Sequence, residues 1–199
     1  MGWVGFDAGS DTRWRWGMVA RTPGMWSEIR TDRLLLRRPI DADAPFVLAL
    51  HSDPQAIAHN PADALRDLAD AHARLATWSR HWRQGLGYWI VEETALVRTI
   101  GVCGVKAVDL HGRPSWNLLY RFLPVAWGRG YASEAARACI QVAAQVDASR
   151  PVVARIRPSN SASSRVAKAI GLVRRPDLDL DGDDGPDEIW STAPRTGTG

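Results

Sequence analysis

The stretch that most constrains this chain is Trp127-Gly128-Arg129-Gly130-Tyr131-Ala132-Ser133-Glu134-Ala135, which joins an extended apolar run ending at Leu123 to a segment of helical spacing. Gly128 and Gly130 carry no Cβ, so the backbone can turn sharply and lie close to a ligand. Ala135, Ala138, Cys139, Val142 and Val146 recur at helical intervals. The free amides of the first turn and the positive end of the helix dipole therefore point back at the glycines, and the unit is a seat for an anion. A dinucleotide fingerprint does not fit. It wants a third glycine where Ser133 stands and an acidic end to the next strand, and Val152 to Arg157 ends basic.

The 199 residues are 45% hydrophobic and 24% charged, the composition of one folded domain with a sizeable core. The net charge is only +3 with acids and bases interleaved, which argues against nucleic-acid binding. Cys103 and Cys139 fall in apolar runs and read as small buried hydrophobes rather than a disulfide or metal site. No apolar run approaches the ~20 residues of a membrane span, and the N-terminus lacks a leader's hydrophobic core, so a cytoplasmic protein is expected.

Residues 1–24, with Trp3, Trp14 and Trp16 scattered without period, read as an extension outside the domain, and residues 25–199 as a single domain. Within it we expect a strand over 27–38, helices over 41–51 and 63–83, and a meander of strands over 88–92, 100–108 and 116–123. After the glycine loop come a helix over 132–146, a strand over 152–157, a helix over 161–170, and short strands over 172–174 and 188–192.

The wider pattern resembles a known family. Tyr120-Arg121-Phe122-Leu123-Pro124 precedes the loop, Asn160-x-x-Ser163-x-Arg165 follows it, and Thr31-Asp32-Arg33-Leu34 opens the domain. Together these are similar to the GNAT superfamily of acyl-CoA-dependent N-acyltransferases, and within it to the RimJ/RimL type that acetylates ribosomal-protein N-termini. The resemblance implies an α/β fold with a mixed, mostly antiparallel sheet splayed between its central strands and flanked by helices. It implies acetyl-CoA as co-substrate, with Arg129, Gly130, Tyr131, Ala132 and Ser133 around the pyrophosphate, and the backbone of Phe122 and Leu123 pairing with the pantetheine. Asn160 and Arg165 would also contact the cofactor, although Asn160 is equally suited to cap a helix. It implies a primary amine as acceptor and a possible homodimer. Ser163 would protonate the departing thiolate. The family's glutamate, three residues before the tyrosine, is replaced here by Asn117, and Leu119 stands where a glycine is common. Replacement bases are His111, Asp109 and Glu92, of which His111 has the pKa best suited to neutral pH; a water relay is equally compatible. The leading expectation is acetyl transfer to an amine by direct attack. The alternatives are a CoA-binding module without turnover, and transfer of succinyl or a longer acyl group.

Asp177-x-Asp179-x-Asp181-Gly182, with Glu188 further on, matches a calcium-loop pattern. Pro176 and Gly185-Pro186 interrupt it and flanking helices are missing, so no metal is expected. A mobile acidic connection able to attract a cationic amine is the expectation instead.

Overall fold

The computed structural model describes residues 26–182 and 185–192, so the extension over 1–24 lies outside the described residues. A hairpin opens the fold, β1 (Glu28–Arg30) and β2 (Leu34–Arg37). Thr31 turns it, its hydroxyl accepting from the Leu34 N–H at 3.1 Å, so the single strand expected over 27–38 is two antiparallel ones. Two helices follow, α1 (Ala44–Ser52) and α2 (Leu68–Arg83). The expected start of α2 at Asp63 is displaced because Pro61–Asp63 forms a separate 3-10 turn and Asp67 caps the helix, accepting from the Asp70 N–H at 2.9 Å.

The meander is β3 (Tyr88–Glu93), β4 (Arg98–Leu110) and β5 (Arg113–Phe122). Beyond the glycine loop lie α3 (Tyr131–Val146), β6 (Val152–Ile156), α4 (Ser161–Ala169), β7 (Val173–Arg174), β8 (Leu180–Gly182) and β9 (Gly185–Ser191). The sheet order is β1-β2-β3-β4-β5-β6-β9-β7, with β8 on β9. Within the acidic connection β8 pairs antiparallel with β9, and Leu180 faces Asp187.

All described strand pairs are antiparallel except β5 with β6, and that parallel pair meets only at Trp116 with Val152 and Asn117 with Val153. Beyond these two pairs the strands part. One face of the sheet, carrying Trp116, Leu118 and Phe122, packs on Ala135, Cys139 and Val142 of α3. The other face, carrying Tyr88, Ile90 and Val102, packs on α1 and α2 through Val47, Leu50, Leu75 and Trp78. Each such fully buried large apolar side chain contributes roughly 1.5–3 kcal/mol. Val146, expected on the inner stripe of α3, is 44% exposed because the last turn runs past the sheet. The two cysteines are buried free thiols, Sγ to Sγ 3.7 Å, where α3 crosses β4.

Candidate active site

Gly128 and Gly130 both take left-handed backbone, φ 73° and 78°, and Gly130 is the N-cap of α3. A Cβ at Gly128 would meet nothing within 4 Å, so backbone conformation rather than crowding requires glycine there. No side chain caps α3, and the Glu134 N–H is bonded to the Gly130 carbonyl at 3.1 Å. The amides before it, at Tyr131, Ala132 and Ser133, form the open end of the helix.

Two buried carboxylates hold this loop from beneath. Glu134 accepts from the Thr31 hydroxyl at 2.5 Å, from the Arg33 N–H at 3.0 Å and from the Arg33 guanidinium at 2.7 Å. Arg33 also donates to the Arg129 carbonyl at 3.0 Å, tying the loop to the first hairpin. Glu93 accepts from the Tyr131 hydroxyl and pairs with Arg129 at 3.1 Å and Arg98 at 3.2 Å. The Tyr131 hydrogen bond, with Arg129 and Arg98, lowers the Glu93 carboxyl below the ordinary range. Arg129 therefore has an internal partner as well as solvent access. Sequence reasoning missed Glu93 and Glu134, which only the packing of α3 on β2 and β3 brings under the loop.

Along the open gap, backbone direction follows from two bonds. The Trp116 N–H points toward β6, onto the Pro151 carbonyl at 2.9 Å, and the Leu123 N–H points toward β4, onto the Ile100 carbonyl at 2.9 Å. Strand alternation then aims the amides and carbonyls of Leu118, Tyr120 and Phe122 into the gap. The Phe122 carbonyl accepts from the Trp127 indole at 2.8 Å, fixing the head of the loop. Leu123 does not share this role: its N–H is on Ile100 and its carbonyl accepts from the Ala126 N–H at 2.9 Å.

Across the gap, Asn160 caps α4 by accepting from the Ser163 N–H at 3.0 Å. The Tyr120 hydroxyl donates to the Ser163 carbonyl at 2.9 Å, and burial pushes this phenol up to about 12. Ser163 is half-buried, and its side chain lies beside the Tyr120 phenol. Arg165 lies exposed on α4 and reaches the Ser161 hydroxyl at 3.4 Å.

Asn117 sits where the strands part, facing α1 and α2, with a buried Oδ1 that has no hydrogen-bond partner. Lys106 is its register neighbour on β4. His81 at the end of α2 meets Tyr88 edge-on, ring centres 5.6 Å apart, and its Nδ1 is buried without a partner. Burial, Lys106 and Arg80 lower the His81 pKa. The three bases considered from sequence fare differently. His111 is removed from the site: it forms the β4–β5 turn with φ 52°, its Nε2 lies 3.3 Å from the Leu178 carbonyl, and the β5 segment from Arg113 to Asn117 alone spans about 13 Å. Asp109 accepts from the Gly112 N–H in the same turn, and Glu92 is paired with Arg37 at 2.7 Å. Within the acidic segment Asp177 pairs with Arg175, Asp179 with Arg174 and Asp187 with Arg155. No group able to hold a metal ion occurs among the described residues.

Residues 33–173 match the acetyltransferase (GNAT) domain family, and the chain belongs to it. The uncharacterised protein YkkB of Bacillus subtilis (strain 168) is 30% identical over 149 residues, 73% of this chain and 85% of that one. An acetyltransferase from Agrobacterium tumefaciens str. C58 has the same fold at TM-score 0.71 and 25% identity, over 90% of this chain and 99% of that one. RimL, a ribosomal L7/L12 alpha-N-protein acetyltransferase solved with coenzyme A, shares the fold at TM-score 0.68 and 15% identity, over 81% of this chain and 94% of that one. No described helix is long and apolar enough to cross a membrane.

Proposed function

We propose that this chain is an acetyl-CoA-dependent N-acetyltransferase that moves the acetyl group onto a primary amine by direct attack, with both substrates bound together. The observation that carries the reading is the parting of β5 and β6 beyond Asn117 and Val153, with the glycine loop and the uncapped end of α3 beside it. Open amides at a helix N-terminus suit a pyrophosphate, and an unpaired strand edge suits the two amides of a pantetheine arm. Gly130, Tyr131, Ala132 and Ser133 would hold the phosphates through their backbone, with Arg129 as a charge partner and Asn160 and Arg165 on the far wall. Phe122, Tyr120 and Leu118 would pair with the arm.

Ser163, whose side chain lies beside Tyr120 on the far wall of the gap, is assigned the proton transfer to the leaving thiolate. The acceptor amine would approach from the α1 and α2 face, where Asn117, Tyr88 and His81 meet. Asn117 cannot take a proton. His81, with a pKa lowered by its surroundings, is neutral near pH 7 and is the base on this face, directly or through water.

The replacement of an acid by Asn117 favours a second reading, a module that binds acyl-CoA without turnover. Calorimetry with acetyl-CoA and thiol release with a panel of amines separate the two. Binding together with amine-dependent thiol release supports transfer. Binding without release for any amine supports the module, and no binding removes both.

A further inference from the structure

The face from which the amine would approach carries an excess of positive charge. Asp63, in the 3-10 turn before α2, is shared by Arg121 of β5 at 2.9 Å and Arg74 of α2 at 3.4 Å. Arg121 is only 9% exposed, and its Nη1 is buried with no hydrogen-bond partner. Lys106 is half-buried beside Asn117 and has no carboxylate within ion-pairing distance among the described residues; burial, Arg155 and Arg74 lower its pKa while Asp63 opposes them. Two further carboxylates lie near these cations and have arginines of their own: Asp187 is shared by Arg155 at 2.6 Å and Arg157 at 3.4 Å, and Asp70, which also feels Arg74, is paired with Arg66 at 2.9 Å. His51 adds no charge at neutral pH, because burial lowers its pKa to about 4. Around Asp63, then, Arg74, Arg121 and Lys106 are three cations against one carboxylate.

A buried donor without a partner is costly, and a guanidinium with an unused N–H is matched by an anionic oxygen. Asp63 and Arg74 keep about a quarter of their side chains in solvent, 27% and 24%, which leaves the cluster a mouth. We infer that the acceptor is an amine that also bears an anionic oxygen group, a carboxylate or a phosphate, held by Arg121, Arg74 and Lys106 while its nitrogen lies toward Asn117. The inference rests on the transferase reading and narrows it. Polycationic amines would be repelled from the same face.

Initial rates of thiol release with the full chain and acetyl-CoA, using matched acceptors, test it. One arm compares amino acids with their amides, and the other compares phosphoethanolamine with ethanolamine, so carboxylate and phosphate are distinguished. The expected result is a preference in kcat/KM on the order of 10-fold or more for the anionic member of at least one pair. Arg121→Gln should erase that preference while leaving acetyl-CoA affinity by calorimetry unchanged. Should that variant not fold, Lys106→Gln, at a half-buried position, should reduce the preference several-fold. Equal use of both members in each pair by the unaltered protein would overturn the inference, as would a preference that survives the substitutions. If no amine supports thiol release, calorimetry of the same pairs without acetyl-CoA decides: anionic members should still bind more tightly, and equal binding or none overturns the inference apart from the fate of the transferase reading.

Discussion

His51 is 1% exposed, and its Nδ1–H donates to the Val47 carbonyl at 2.9 Å, so the imidazole is held neutral with a pKa lowered to about 4 by burial and by Arg121. The unfolded chain, with an ordinary histidine near 6.5, takes up the proton first as pH falls. Stability is thus full above about 6.5 and falls toward pH 4, by on the order of 3 kcal/mol from this residue. Urea denaturation at pH 7 and pH 4.5 measures it, and His51→Gln should flatten that part of the slope. Ser163→Ala should lower turnover about 100-fold with little change in acetyl-CoA affinity, because a proton donor acts in the transition state. The Tyr120 hydroxyl keeps its bond to the backbone carbonyl of residue 163 in the variant, so the melting temperature should change little. A stability loss with unchanged turnover would make Ser163 structural. Gly130→Asp should abolish acetyl-CoA binding in a folded protein, since it sets a negative charge at the anion seat and a side chain at φ 78°, a strain of roughly 1–2 kcal/mol. Asn160 and Ser163 were readable from the chain because a cap and its partner are neighbours in sequence. Glu93, His81 and Arg121 were not, since their meaning comes from partners brought together only by folding.

The unit formed by the glycine loop and the first turn of α3 depends on an element about a hundred residues earlier. Arg33 touches Glu134 and the Arg129 carbonyl together. Arg33→Ala should leave the buried Glu134 short of donors, lowering stability by about 2 kcal/mol, and should weaken acetyl-CoA binding through the loosened loop. Thermal melts and calorimetry check both, and unchanged affinity would mean that the loop holds its shape without this tie. The helices and the meander were legible because their apolar periods are long. The division of 27–38 into β1 and β2 was not, because Thr31 and Asp32 are too short an interruption for periodicity to resolve. The start of α2 was misplaced for a similar reason: Asp63 and Asp67 are both good caps, and the preceding proline turn decides between them.

At the scale of the molecule, sequence motifs implied a splayed sheet, but not where it opens or which backbone groups face the opening. That depends on register, and apolar alternation is the same whether or not a neighbouring strand is paired. The two-pair junction at Trp116 and Asn117 also has a consequence for how the chain reaches its fold. From β3 to β5 each strand pairs with the next in sequence through a short turn, so these contacts close short loops, whereas β2 reaches β3 only across α1 and α2. Joining β6 to β5 requires α3 to cross over first, and β9 must then enter beside β6. Contacts of low sequence separation form earlier, because less chain entropy is lost in closing them. The meander should therefore be the folding nucleus, and docking of the second half a late event. Val102→Ala should slow refolding, Val153→Ala should mainly speed unfolding, and the seam along which a ligand would enter is also the last seam to be sewn.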